Sequence, residues 1–392
     1  MSDRTTSNER RMLDWLAAKR ADMIALLETL VNTDGGSYDK QGVDKVAVHL
    51  RKFLEERGIP CESIPDDRFG DALRANVSNG AAGGAGANST ILLMGHRDTV
   101  FPKGEPTRRP FRIENGLAYG PGVCDMKAGL VMNAFVLAAF KRAGGAHAPL
   151  VGLFTSDEEI GSPSCRPLIE AEAARARAVF NSEPGRPGNA VVTGRKGCVF
   201  MRLRVTGKAA HSGANFGEGI SAIGEMAHKI IALHALTDLD KGVTVNVGTI
   251  KGGQTVNTVA PETEVEVDLR FIEPADYEAG MRAVRRIVDT STLPGATAEL
   301  EILADFLPLV QSPHSKALYD HYAACGAAIE HPVSSTFTGG AADSGFAAAM
   351  GAPTICAVGP VGGKAHSPEE FLEVESVVPR AQNLALAIMR LG

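Results

Sequence analysis

Several large protein classes are excluded by what this chain does not contain. Its six cysteines, at positions 61, 124, 165, 198, 325 and 356, include no CxxC pair. Neither a thiolate metal site nor a disulfide framework is expected, and the cysteines read as reduced packing residues, with Cys124 singled out only because it adjoins Asp125. No eighteen apolar residues run together, and the opening MSDRTTSNERRMLDW has no apolar core followed by a small-residue cleavage site. A cytoplasmic protein without a membrane partner is the expectation. The formal net charge of -6 is spread along the chain with no basic stripe, so no nucleic-acid partner is expected either. There is no GxSxG elbow of the kind that presents a serine nucleophile.

The remaining composition suits a soluble protein of two or three domains, with 392 residues and 44% hydrophobic content to fill their cores. Apolar residues recur at helical spacing over 9–31 and 41–57, the second run stopped by Gly58. Short continuous apolar runs at 90–94, 150–155, 178–180 and 354–358 read as strands buried on both faces of a parallel or mixed sheet, with helices at 126–142, 167–177 and 315–330 to cover it. The Gly/Ala-rich stretch 79–89 reads as a hairpin tip. Between about 196 and 308 the pattern changes. Strands at 199–205, 244–250, 262–270 and 298–303 and helices at 220–236 and 275–289 run βαββαβ, a ferredoxin-like order, within about a hundred residues. The expected organisation is an α/β domain over 1–195 and 309–392, interrupted by an α+β domain at 196–308.

Chemistry-bearing residues gather where the predicted strands end. These are His96 and Asp98 in MGHRDTV, Asp125 in GPGVCDMK, Glu158 and Glu159 in TSDEEIGS, Glu183 in NSEPG and His366 in GGKAHSP. Loops at the carboxyl ends of parallel strands converge on one crevice, so residues distant in sequence can meet there. Two histidines with several carboxylates form the nitrogen and oxygen donor set of a hydrolytic two-zinc centre. In an extended chain His96 and Asp98 share a face, which lets Asp98 fix the tautomer of a metal-bound imidazole. Asp125 fits either a bridging ligand reached through the turn glycines Gly120 and Gly122 or a plain helix N-cap. Adjacent carboxylates repel unless a cation lies near one, and neighbouring side chains diverge. One of Glu158 and Glu159 can therefore bind metal while the other takes a proton. His49, His228 and His234 fall within helical patterns and read as surface or packing residues.

The motifs GHRDTV (95–100), YGPGVCDMKAG (119–129), SDEEIGS (156–162), SEP (182–184), VTGKAAHSG (205–213), TVNTVAP (255–261), DLRF (268–271), TGGAADSGF (338–346) and KAHSPEE (364–370) run across almost the whole chain. In content and order they resemble the zinc aminoacylase and carboxypeptidase family of co-catalytic metallopeptidases. That family includes glutamate carboxypeptidases, succinyl-diaminopimelate desuccinylases and acetylornithine deacetylases. The resemblance implies a zinc-peptidase-type mixed sheet flanked by helices, with the inserted ferredoxin-like domain serving as lid and dimerisation domain of a homodimer. It implies two Zn2+ per chain, with Co2+ or Mn2+ as substitutes. His96 and Glu183 would hold one ion, Glu159 and His366 the other, and Asp125 would bridge. Asp98 would orient His96, Glu158 would be the general base, and His211 would polarise the scissile carbonyl. Asn257, Arg270, Gly339 and Gly340 would contact the substrate. Met126 stands where many relatives carry a second acidic residue, and Cys124 where the residue is usually small. The function so implied is hydrolysis of the amide bond to a C-terminal amino acid such as glutamate, in a short peptide or an N-acyl amino acid. Deacylation of an N-acyl amino acid or diamine is the alternative, and a non-catalytic binder would have no use for Glu158.

Overall fold

The computed structural model describes residues 5–78 and 89–391. The hairpin tip expected at 79–89 thus lies, apart from Ser89, outside the described residues. The chain divides into two compact units, one made of Met1–Gly194, Gln311–Phe337 and Phe346–Gly392, the other of Arg195–Val310 and Thr338–Gly345.

The first unit is built on an eight-stranded mixed sheet. Its order is Cys61–Ile64, Ala72–Val77, Leu150–Thr155, Thr90–His96, Ala176–Asn181, Thr354–Cys356, Ala190–Arg195 and Ser334–Thr338. Thr90–His96 lies parallel to both of its neighbours, and Thr354–Cys356 parallel to Ala176–Asn181. These central strands are buried nearly throughout, and because they run parallel their carboxyl ends open on the same side. The covering helix Ala128–Arg142 is buried at every position from Ala128 to Phe140. Together with the preceding turn, Val123–Arg142 is long and apolar enough to cross a membrane, yet 94% of its most apolar window is buried in the protein core. Gly129 is required at its start because any Cβ there would collide with the Ser182 carbonyl. Deeper in the same helix, Asn133 Nδ2 donates to the Met94 carbonyl (3.3 Å) and its Oδ1 accepts from Ser182 Oγ (2.7 Å), tying two strand ends together.

The helical stretch read at 9–31 is two helices, Ser7–Ala18 and Arg20–Val31, because the chain turns out of helical geometry at Lys19 (φ -96°, ψ 7°). The helix expected from Met126 begins at Ala128 instead. Asp125 and Met126 ahead of it are non-helical and joined by a cis peptide. A small four-stranded sheet, ordered Gly362–Gly363, Phe371–Glu373, Leu117–Tyr119 and Arg112–Glu114, was not anticipated. Its strands are two or three residues long, too short to show a period.

The second unit carries an antiparallel sheet in the order Thr244–Gly252, Glu262–Phe271, Gly197–Thr206 and Thr297–Phe306, with helices Ala222–His234 and Pro274–Asp289. Sequence order βαββαβ and this strand order are those of the ferredoxin-like fold. Val199, Met201, Leu203 and Val205 alternate inward with Val265, Val267, Leu269 and Phe271 to make its core. The opposite face carries an ion-paired lattice that includes Arg202–Glu266 (2.8 Å), Arg202–Glu301 (3.2 Å) and Arg204–Glu264 (2.7 Å).

Candidate metal centre

Three parallel strands deliver most of the cluster. His96 is the last residue of Thr90–His96, Glu158 and Glu159 form a 3-10 turn just beyond Leu150–Thr155, and Glu183 follows Ala176–Asn181. Asp125 enters from the loop before the core helix, and His366 from the loop after Gly362–Gly363. His96 Nε2 lies 3.3 Å from Asp125 Oδ1, 3.4 Å from Glu183 Oε1 and 3.9 Å from Glu158 Oε2. His366 Nε2 lies 3.3 Å from Asp125 Oδ2 and 3.1 Å from Glu159 Oε2. The two oxygens of Asp125 thus face different imidazoles. That disposition excludes the N-cap reading of Asp125, whose side chain makes no bond to the helix behind it. His96 is 1% exposed and the His366 side chain 53%, so His366 closes the cluster on its solvent side.

Asp98 is fully buried at the centre of the support. Its Oδ1 lies 3.3 Å from His96 Nδ1 and accepts from the Glu158 N–H (3.1 Å); its Oδ2 accepts from the Glu159 N–H (3.1 Å) and from Ser37 Oγ (2.7 Å). The turn is pinned at its other end by Asp157, whose Oδ2 accepts from Ser164 N (2.6 Å) and Oγ (2.7 Å), and by Gly161 in a left-handed conformation (φ 93°). Ser37 and Lys40 have the spacing of a serine-hydrolase nucleophile and base but do not meet. Lys40 is paired with Asp44 (3.0 Å) and Asp71 (2.5 Å). Arg97, fully buried between two site residues, is structural, donating to the carbonyls of Val43, Phe154, Thr155 and Asp71.

Carboxylates outnumber imidazoles in this cluster, and the two histidines respond to them. Burial disfavours a charged His96, but the carboxylates of Glu158, Asp125, Asp98 and Glu183 outweigh it and raise His96 well above its ordinary value. Asp125 and Glu159 push His366 up to about 10. Burial and the neighbouring Asp125 raise Glu159 to about 7, while the two imidazoles, against burial, hold Asp125 below the usual carboxylate range. Two groups of donors, His96–Asp125–Glu159 and His96–Glu158–Glu183, have ligand atoms within 4.8 Å of one another. Carboxylates crowded in this way with two imidazoles form a divalent-metal donor set. Cys124 contributes nothing to it. Its thiol is buried against the Gly363 carbonyl (3.8 Å), and burial next to Glu370 and Asp125 raises it well above its ordinary value. Met126 is buried beneath His96, its sulfur 3.3 Å from the His96 N–H.

Glu370 escaped the reading of the sequence, where it was one more acid in KAHSPEE. It is fully buried and accepts three backbone N–H groups of the Asp125 loop, from Gly122 (3.0 Å), Cys124 (2.9 Å) and Asp125 (3.1 Å). Its sequence spacing of 245 residues from Asp125 offered no local signal.

The remaining candidates belong to the second unit. His211 is exposed, and its Nδ1 accepts from Gly213 N and Ala214 N, each at 3.1 Å. The neutral ring therefore carries its proton on Nε2, where it can donate. Asn257 is exposed on the facing segment, its carbonyl accepting from Ser212 N (3.0 Å). Arg270 stacks over Phe200 (5.3 Å to the ring centroid), pairs with Asp268 (2.9 Å) and donates to the Gly339 carbonyl (3.1 Å). The Gly340 and Ala341 carbonyls accept from Arg195 Nη1 at 3.1 and 2.9 Å.

The profile of peptidase family M20/M25/M40 matches residues 92–390, across both units. The chain belongs to that family. Among its curated relatives, carboxypeptidase G2 of a Pseudomonas species is 29% identical over 377 residues, covering 94% of this chain and 89% of the relative. An acetylornithine deacetylase of Vibrio parahaemolyticus is 26% identical, covering 92% of this chain and 94% of the relative. Among solved structures, an M20 family metallo-carboxypeptidase of Sulfolobus solfataricus superposes with a TM-score of 0.75 at 16% identity, over 94% of this chain and 98% of that one. An aminopeptidase PepT of Bacillus cereus does so with a TM-score of 0.72 at 21% identity, over 94% and 98%. The protein is thus an M20 metallohydrolase, with the mixed sheet and inserted ferredoxin-like unit of that fold.

Proposed function

We propose that this enzyme is a two-zinc amidohydrolase of carboxypeptidase type, cleaving the amide bond between an acyl group and a C-terminal amino acid such as glutamate. The observation that carries the reading is the division of the Asp125 oxygens between His96 and His366. His96 and Glu183 would hold one ion and Glu159 and His366 the other, with Asp125 the ligand common to both, and cobalt or manganese could take zinc's place. The chemistry such ions would supply is Lewis-acid activation of the carbonyl and of the attacking water. Glu158, whose Oε2 lies 3.9 Å from His96 Nε2, accepts the proton of the attacking water and returns it to the leaving amine. Asp98 fixes His96 at Nδ1, through its main-chain carbonyl (3.0 Å) and its carboxylate (3.3 Å). His211 donates from Nε2 to the carbonyl oxygen as negative charge develops there. The Arg270 guanidinium, with the Gly339–Gly340 loop at its side, binds the substrate carboxylate, for which its planar fork is suited.

Asn257 precedes the strand Glu262–Phe271, and Arg270 lies near that strand's other end. The eight residue steps from Glu262 to Arg270 span ~26 Å at about 3.3 Å each, so one small substrate cannot touch both on the same chain. That separation supports a homodimer, assembled through the inserted unit, in which each copy lends His211 and Asn257 to the other. Six cysteines that form no disulfide, five of them buried, support a reducing compartment, the cytoplasm.

The similarity to acetylornithine deacetylase supports one alternative, removal of an acyl group from an N-acyl amino acid or diamine. The zinc-loaded enzyme is to be assayed on N-acetylglutamate, glutamate-terminated dipeptides and N-acetylornithine. The carboxypeptidase-type reading expects the highest kcat/KM on a glutamate amide, and a preference for N-acetylornithine would replace it.

A further inference from the structure

Glu370 has no place in the scheme above, yet its contacts are concentrated on one ligand. Its Oε2 accepts from Gly122 N and its Oε1 from both Cys124 N and Asp125 N. These donors belong to a loop that is not helical at Asp125 (φ -113°, ψ 91°) and that turns through Gly122 at φ 71°. Without a common acceptor these three buried N–H groups would be orphans, since the loop's own bonds, Val123 N to the Gly120 carbonyl (3.2 Å) and Lys127 N to the Gly122 carbonyl (2.9 Å), use other donors. The acceptor is itself fixed. Phe371, the next residue, pairs with Tyr119 in the small sheet, and Tyr119 leads directly into the Asp125 loop. On the other side, Glu370 N donates to the Ser367 carbonyl (3.2 Å), and Arg109 Nη1 holds the Pro368 carbonyl (2.8 Å). Burial and the Asp125 charge raise Glu370 to about 7, against the three N–H groups that favour its carboxylate form, and the buried Lys127, which donates to the Thr33 carbonyl (3.0 Å), is a further favourable charge for that form.

We propose that Glu370 is a positioning residue that fixes the direction of the Asp125 carboxylate, so that the segment 366–370 supplies one ligand, His366, and the clamp for another. The clamp rests on the two-metal reading but is tested separately from it. Only a carboxylate offers two acceptor oxygens to three N–H groups; the Glu370→Gln amide turns an NH2 toward at least one of them. A change at this distance from the ions acts as other indirect partners of metal ligands do, on a scale of about 10–100-fold in affinity.

The test is titration of metal-free wild type and Glu370→Gln with cobalt(II), read by binding affinity and by visible absorption. The expected result is two ions on the wild type and, on Glu370→Gln, at least about tenfold weaker binding of the weaker ion with an altered spectrum. Its kcat falls at limiting cobalt and recovers in excess cobalt, with KM little changed. A variant whose melting temperature drops while both affinities and the spectrum match wild type overturns the proposal, because Glu370 would then only brace the fold. If Glu370→Gln does not fold, Glu370→Asp, which keeps the charge but draws it back by one methylene, is judged by the same readouts. A wild type that binds a single ion overturns the two-metal reading instead. The clamp is then judged on that ion, whose affinity must still fall, since Asp125 faces both imidazoles.

Discussion

Glu158 and Glu159 are neighbours in sequence, and both backbone N–H groups end on Asp98, yet their carboxylates face different histidines. Asp98 therefore holds three things at once: the His96 ring, the turn carrying the two glutamates and, through Ser37, the adjoining loop. Asp98→Ala is expected to lower metal affinity or turnover by about 10–100-fold. An unchanged enzyme would leave Asp98 a buried loop acid and nothing more. Protons enter the same account. In the metal-free protein His366, held at about 10 by Asp125 and Glu159, carries a proton at pH 7, and the surrounding carboxylates favour one on His96 as well. An ion must displace these protons, so its affinity rises with pH below about 10, by roughly tenfold per unit for each proton released. The linkage for folding runs the other way. Charged-imidazole stabilisation of the metal-free fold is complete below a histidine's ordinary value and is lost as pH rises through the raised one. Zinc titrations in buffers of different ionisation enthalpy should report proton release at pH 7; heats independent of buffer would refute it. His96, Asp98, the Glu158–Glu159 pair and His366 could be read from the sequence because each sits at the end of an apolar run or beside glycines. Glu370 and Ser37 could not, since their partners lie 245 and 61 residues away.

Elements were legible in proportion to how regularly they are buried. Thr90–His96, Leu150–Thr155 and Ala176–Asn181 are buried nearly throughout and read as apolar runs. Val265, Val267 and Leu269 show clean alternation because one face of that sheet meets helices. Cys61–Ile64 has no buried residue and Ser334–Thr338 none either, so these edge strands had no pattern to find. Ahead of the core helix, composition argued for helix at Met126, and the tertiary demand on Asp125 prevailed. Arg97 makes a similar point from the opposite direction. Set between His96 and Asp98 it has the look of a site residue, but its guanidinium joins the helix Lys40–Glu55, through the Val43 carbonyl, to strand ends at Phe154 and Thr155. Arg97→Met keeps much of the volume and strands buried carbonyls, so it should cost at least about 3 kcal/mol in urea unfolding of the metal-free protein. A loss below about 1 kcal/mol, within the range of ordinary surface changes, would show that the residue does not brace these elements.

At the scale of the whole molecule, the sequence disclosed the α/β unit and the inserted ferredoxin-like unit through their contrasting periods. Substrate choice stayed illegible because pocket-forming loops carry no period, and His211 and Arg270 alone resemble a surface turn and an ion-pair residue. The role given to Arg270 is open to a direct comparison. Wild type should hydrolyse a substrate with a free C-terminal carboxylate far better than its amide, and Arg270→Ala should lose most of that advantage by lowering kcat/KM on the acid while leaving the amide nearly unaffected. Equal rates on acid and amide in wild type would point to a deacylase indifferent to that carboxylate. The central claim is that five residues hold two ions while Glu158 moves the proton, and elemental analysis paired with turnover tests it most directly. Zinc-reconstituted wild type should hold two ions per chain. Glu158→Gln should hold two as well while turnover falls by at least ~10²-fold, the scale of a lost general base, and Glu159→Gln should lose one. A single ion on wild type, or the same metal content in both variants, would contradict the account.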